Sequence, residues 1–239
     1  ALQIDASGIR RVFDLAAKLK DPINLSIGQP DFDVPQVIKD AAIDAIQAGR
    51  NSYTVTQGTA ELREKVIAKL ETQFDGWHGM SSEHGDGFGT LITSGVSGGL
   101  LLALMATVGP GDEVLVPDPY FVMYAHLVRL VGATPVFVDT YPDFQITAER
   151  LERYITSSTK LLMFNTPSNP TGVVATPQVC KDVVELADKH NILVLSDEIY
   201  DEFCHEKVTG SDSSPARCPS PAAYSDHVLL LRGFSKTYA

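Results

Sequence analysis

The chain has 239 residues, 44% hydrophobic and 21% charged, the profile of an ordinary globular protein long enough to bury a large core. Its formal charge of -11, with no basic patch, argues against nucleic acid or an anionic membrane surface as partners. No apolar run could span a bilayer, the N-terminus lacks a signal-peptide layout, and Cys180, Cys204 and Cys218 show no CxxC spacing, which together predict a cytoplasmic protein with reduced thiols.

In chain order, Ile9, Val12, Phe13, Leu15, Ala16 and Leu19 recur at helical spacing within residues 1–20. Residues 24–32 read as a loop broken by Gly28 and Pro30, with Gly28 allowing a ligand close to the backbone. Helices are predicted over 37–48, stopped by Gly49, and over 59–74, with a polar stretch holding Tyr53 between them. Residues 75–89, rich in Gly, Ser and His, read as a flexible connection. From Thr90 onward the pattern changes. Strands are predicted at 91–93, 113–116, 134–138, 161–164, 192–195 and 227–231, and helices at 100–108, 120–131, 147–154 and 176–190. Residues 201–226 are polar and contain prolines, and are predicted to loop across the surface. This alternation predicts an α/β domain with a mostly parallel sheet and right-handed crossovers.

The chemistry-bearing residues follow the predicted strands. Ser94-Gly95-Val96-Ser97-Gly98-Gly99 can curl so that successive N–H groups at a helix start meet an anion, with the Ser97 hydroxyl as a further donor. It is neither a Walker loop nor GxGxxG, and alone it would pass for a tight turn. Phe121 offers a flat face for an aromatic ring, and by spacing Tyr120 is an equal candidate. In Asn165-Thr166-Pro167-Ser168-Asn169-Pro170-Thr171-Gly172, two prolines and a glycine fix how Asn169 projects, so its amide can serve an oxygen of a ligand. Asp197, after an apolar run, is expected partly buried at the inner sheet edge. A carboxylate there needs a cation, such as a protonated pyridine nitrogen, unless it is simply a helix cap. Tyr200 can turn its hydroxyl to the same ligand. Lys236 lies just past the last strand in the small-residue loop Gly233-Phe234-Ser235-Lys236, placed to enter a cleft at the carboxyl edge of the sheet, where a partly desolvated amine can form a Schiff base. The six histidines lack metal-ligand spacing, so no metal site is expected. Together these groups form the inventory that pyridoxal 5'-phosphate (PLP) needs.

At this point the chain resembles the class I/II aminotransferases of PLP fold type I over nearly its whole length. The resemblance is carried by Ser7-Gly8-Ile9-Arg10, Leu25-Ser26-Ile27-Gly28-Gln29-Pro30-Asp31-Phe32, Tyr53 with Gly58 and Leu62-Arg63, residues 165–172, residues 196–200 and Phe234-Ser235-Lys236. It implies a three-layer large domain, residues 35–239, incomplete at its C-terminal side. Residues 1–34 would be an N-terminal arm and part of a small domain. It also implies PLP as cofactor and transamination between an L-amino acid and a 2-oxo acid by a ping-pong Schiff-base route. Lys236 would carry the Schiff base and move the proton, and Asp197 would keep the ring nitrogen protonated. Asn169 and Tyr200 would serve the ring hydroxyl oxygen. Val96 and Ser97 would bind phosphate, Ser235 would join the cofactor contacts, and Phe121 would stack on the ring. Gly28 and Asn169 would lie against substrate, and Tyr53 would reach the phosphate of a neighbouring subunit in a homodimer. Two departures stand out: Gly233 replaces a frequent phosphate-binding serine, and the family's phosphate and substrate-carboxylate arginines would fall beyond Ala239, so the chain reads as the front part of a longer protein. Other chemistry on the same scaffold, such as a carbon–sulfur β-lyase, and a PLP-sensing domain of a transcription regulator are the alternatives. An upstream basic segment would favour the last.

Overall fold

Apolar runs rich in Val, Leu, Met and Phe build the strands of one parallel sheet. The computed structural model describes residues 15, 16, 18–20, 23, 28–74, 89–204 and 218–239. Most of the helix predicted over 1–20, the first part of the loop at 24–32, and nearly all of the connection at 75–89 lie outside those residues. In chain order the elements are α1 (Gln36–Gln47), α2 (Ala60–Glu71), α3 (Gly95–Thr107), β1 (Glu113–Asp118), α4 (Met123–Leu130), β2 (Thr134–Asp139), α5 (Ala148–Glu152), β3 (Thr159–Asn165), α6 (Pro177–His190), β4 (Leu193–Asp197), a 3-10 turn (Pro221–Ala223) and β5 (Val228–Leu231).

The strand order is β2-β1-β3-β4-β5, every neighbouring pair parallel. The chain therefore runs outward from β1 to β2 and then back across to β3, which opens a crevice beyond the carboxyl ends of β1 and β3. Side chains alternate between the two faces of a strand, and here they supply two cores. Leu115, Leu162, Phe164 and Val194 pack with Leu151 of α5 and Cys180, Val183, Val184 and Ala187 of α6. Val114, Val116, Leu161, Met163 and Leu195 pack on the opposite side with Leu100 and Leu104 of α3 and Tyr124, Leu127 and Val128 of α4. The result is three layers, helices on sheet on helices.

Local chemistry sets the helix ends. Thr147 caps α5 by accepting from the Arg150 N–H at 3.3 Å. Thr176 caps α6 in the same way, accepting from the Val179 N–H at 3.2 Å, with Pro177 at the first helical position. Asn191 ends α6 in the left-handed region, φ 53°.

Several expectations are corrected. Residues 91–93 form no strand: Ile92 N–H donates to the Gln57 carbonyl at 3.0 Å, a single bond to a loop instead of a ladder. Helix α3 begins at Gly95, earlier than residue 100, because the small residues of 95–99 allow close packing: a Cβ on Gly99 would stand 2.9 Å from Leu231. Helix α4 begins only at Met123, since Pro117 and Pro119 hold the chain extended beforehand. Within the predicted surface loop 201–226, residues 205–217 lie outside the described residues, but Cys218, Ser220, Pro221 and Ala222 are buried rather than surface-borne. Ala222 packs with Leu70 and Phe74.

Candidate active site

The carboxyl ends of β3, β4 and β5 lie in register, Asn165 opposite Asp197 and Asp197 opposite Leu231. Asp197 has the parity of Leu195 and so faces α4. It is 5% exposed. The Tyr124 hydroxyl donates to its Oδ2 at 2.7 Å, and the Ile199 N–H donates to its Oδ1 at 3.2 Å. The second contact is the cap-like bond expected of an Asp at a strand end, so capping and burial coexist here. Burial pushes the Asp197 carboxyl up from its ordinary value, and the bonds from Tyr124 and Ile199 only partly oppose this. Burial, together with the same pairing, pushes the Tyr124 phenol well up. Among the described residues no cation pairs with Asp197. A buried acid in that position suits a ligand that brings a positive charge.

Asn165 ties the edge together. Its side-chain amide donates to the Asp197 carbonyl at 2.8 Å, and its carbonyl oxygen accepts from the Asn169 N–H at 2.7 Å. Asn169 is thereby fixed to the end of β4 through one intervening side chain. The Asn169 side chain hydrogen-bonds the Tyr200 hydroxyl, and burial, the largest influence on that phenol, pushes it up. Lys236 Nζ lies 5.9 Å from the centre of the Tyr200 ring and donates to the Gly28 carbonyl at 2.6 Å. Gly28, Ser235 and Lys236 line one cavity of about 380 Å³ together with Gln29, Pro30 and Phe32.

Phe121 and Tyr120 separate in space. Tyr120 is stacked on Phe137 of β2, centroids 5.1 Å apart at 17°. Phe121 meets the Tyr124 ring edge-on at 5.6 Å, which leaves it one residue from the Asp197 carboxylate. Val96 and Ser97 lie in the first turn of α3, which has no side-chain cap, so its leading N–H groups can serve an anion. That turn abuts the lysine loop. A Cβ on Gly233, where the resemblance anticipates serine, would meet Ile199 Cδ1 at 2.6 Å and Val96 Cγ2 at 3.1 Å, so a larger residue there would have to displace those side-chain ends. Tyr53 stands fully exposed on the loop between α1 and α2, its ring in solvent. The structure thus gathers Asp197, Asn169, Tyr200, Lys236 and Gly28, sets Phe121, Val96 and Ser97 close by, and leaves Tyr53 on the surface.

Two participants are not evident from sequence. Tyr124 reads as one more apolar position of an amphipathic helix, and only its distance to Asp197 distinguishes it. Asn165 opens a motif in the sequence, and its bridging role exists only once β3 and β4 pair.

Residues 20–239 match the family described as aminotransferase class I and II. A probable aspartate aminotransferase of Methanocaldococcus jannaschii is 37% identical over 236 residues, 99% of this chain and 58% of that protein. The aromatic-amino-acid aminotransferase 2 of Thermococcus litoralis is 36% identical, with the same two coverages. The structure of Thermus thermophilus aspartate aminotransferase with maleate superimposes on 100% of this chain with a TM-score of 0.85 and 32% identity, and 60% of it is covered. The chain spans about 58% of the length of the curated relatives it matches.

Proposed function

The chain belongs to the class I and II aminotransferases, and from that premise we propose that the protein transfers an amino group between an L-amino acid and a 2-oxo acid. Members of this family use pyridoxal 5'-phosphate. The observation that carries the reading is the convergence of a buried carboxylate, Asp197, with the Lys236 amine, which is placed over the Tyr200 ring while Asn169 holds the Tyr200 hydroxyl. These residues fit the cofactor: a negative group for the ring nitrogen, two polar groups for the ring oxygen, and an amine for the carbonyl.

When bound, PLP supplies an electron sink for the α-carbon of an attached amino acid. Asp197 holds a proton on the ring nitrogen, which its burial makes worthwhile only while a cation is present. Tyr200 and Asn169 orient the ring through its oxygen. Phe121 would stack on the ring and exclude water from it. The first-turn amides of Val96 and Ser97, with the Ser97 hydroxyl, take the phosphate, and Ser235 borders it. Lys236 would hold the cofactor through Nζ, and the same amine would be the group that moves a proton at the α-carbon. Gly28 and Asn169 border the substrate.

The remaining features belong to the same proposal. Residues 35–239 form the cofactor-binding large domain, and residues 1–34 an arm with part of a small domain. The protein works as a homodimer in which Tyr53 reaches the partner's phosphate site. The fully exposed Tyr53 supports this, as do the exposed Val37, Ile43 and Ile46 of α1. A cytoplasmic location suits three buried thiols, and among the described residues no helix is long and apolar enough to cross a membrane. The relatives' names make aspartate and aromatic amino acids the first donors to try.

The test is a screen of amino donors with 2-oxoglutarate and PLP, following both products. Equal amounts of glutamate and the donor's 2-oxo acid are expected, and Lys236→Ala abolishes them. Release of a thiol and pyruvate from cysteine conjugates, without glutamate, would instead establish a β-lyase.

A further inference from the structure

On the face of the sheet opposite Tyr124, the ends of β4 and β5 are joined by a buried ion pair. Glu198 has the parity of Ser196 and Val194, so it points away from Asp197, and it is 1% exposed. Its Oε2 accepts from Arg232 Nε at 3.1 Å and from Arg232 Nη2 at 2.8 Å. Its Oε1 accepts from Ser196 Oγ at 2.9 Å and Ser220 Oγ at 2.5 Å. The guanidinium also donates to the Gln73 side chain, lies 3.2 Å from Asp201 Oδ2, and sits 5.2 Å from the centre of the Phe74 ring. The Glu198 N–H donates to the Leu231 carbonyl at 2.9 Å, so backbone and side chains bind the same two strand ends.

A buried pair of this kind adds little net stability, because removing both charges from water costs about as much as their attraction returns. What it does supply is a planar link in which two N–H groups of one guanidinium converge on a single carboxylate oxygen, Oε2, and leave it little freedom. The link has one end next to Asp197 and the other at the head of the loop carrying Lys236. A pyridine ring is rigid, and its nitrogen and the carbon bearing the aldehyde are para to each other. The carboxylate and the amine must therefore be held at one fixed separation to engage both. We propose that Arg232 and Glu198 are positioning residues that set the distance between Asp197 and Lys236 from behind the sheet. This rests on the aminotransferase reading. Neither residue touches the reacting groups. They act through the backbone of two adjacent strand ends.

The experiment uses the purified PLP-loaded protein. Arg232→Lys keeps the charge and loses the fork. Glu198→Gln combined with Arg232→Met removes both charges of the pair, while Asp201, 3.2 Å from the guanidinium, then loses that partner. Readouts are melting temperature, cofactor dissociation constant, the pH midpoint of the lysine-linked cofactor absorbance, and kcat and KM separately. Arg232→Lys is expected to stay folded, to bind PLP at least about tenfold more weakly, and to lower kcat by a similar factor with KM little changed. Its absorbance midpoint should move upward by about half a pH unit, because a ring nitrogen held less firmly positive withdraws less from the lysine nitrogen. The double variant should show the same signature whatever its melting temperature. Wild-type cofactor affinity and midpoint in Arg232→Lys would overturn the proposal, as would a lowered melting temperature as the sole change. Borohydride reduction of the wild type separates the two levels. A cofactor adduct at Lys236 upholds PLP attachment at that residue, on which the aminotransferase reading depends, independently of these variants, and its absence overturns that reading and the positioning claim with it.

Discussion

Asp197 shows how one side chain can be placed against its own stability. Its carboxyl is raised by burial, while an unfolded Asp titrates near 3.8. Between 3.8 and the raised folded value, the native state holds a proton that the unfolded state has lost, so stability falls as pH rises through that window. Above it the cost is present in full, about 1.4 kcal/mol for every pH unit by which the carboxyl is raised. Asp197→Asn removes this cost. The cofactor-free variant should therefore melt a few degrees above wild type at about pH 7, and the gap should close as the pH is lowered toward 3.8. The same variant should lose at least about a hundredfold in turnover with PLP, since nothing then keeps the ring nitrogen protonated. Thermal melts across pH, paired with kinetics, check both halves. A variant that is less stable near neutral pH and still active would remove Asp197 from the role given to it.

At the scale of elements, the loop between α1 and α2 is fastened to the segment leading into α3. Gly58 has φ +94°, and a Cβ there would stand 2.5 Å from Ile92 Cγ1 and 2.7 Å from Ile92 Cβ. The Ile92 N–H donates to the Gln57 carbonyl beside it. Gly58→Ala meets both a disfavoured φ and a stiff β-branched neighbour, and should cost at least about 2 kcal/mol. Urea unfolding measures this. A loss under about 0.5 kcal/mol would mean that the contact is loose. This attachment also explains why residues 91–93, apolar and bounded by turn residues, form no strand: their backbone partner is a loop at Gln57, not a sheet edge.

For the whole molecule, assembly turns on Tyr53. If two chains share sites, Tyr53 of one subunit completes the site containing Lys236 of the other. Tyr53→Ala and Lys236→Ala should each impair their own homodimers. Heterodimers of the two variants then contain one site with both native residues and should recover about half of wild-type activity per dimer. Mixed preparations that stay as poor as the Tyr53→Ala homodimer would place Tyr53 in its own subunit's site.

The strands from Glu113 onward and their alternation with helices were legible in the sequence, because a strand buried on both faces must be apolar throughout and a crossover helix must show its own period. Asp197, Asn169 and Lys236 could be singled out as candidates for a related reason: each is a polar residue shortly after such a run, where chain and solvent meet at the sheet's carboxyl edge. The contacts of Tyr124, Asn165, Glu198 and Arg232 were not legible, since each depends on which strands become neighbours and which face a residue takes, and strand order is a property of packing between distant segments. The choice between Tyr120 and Phe121 shows the same limit: adjacent aromatics are equivalent by spacing, and only the stacking of Tyr120 on Phe137 across to β2 turns Phe121 toward Tyr124. Sequence alone determined the strand–helix alternation and the chemical inventory through local period and residue type, and tertiary structure alone decided which groups meet, because hydrogen bonds such as those to Glu198 form only after β4 and β5 have paired.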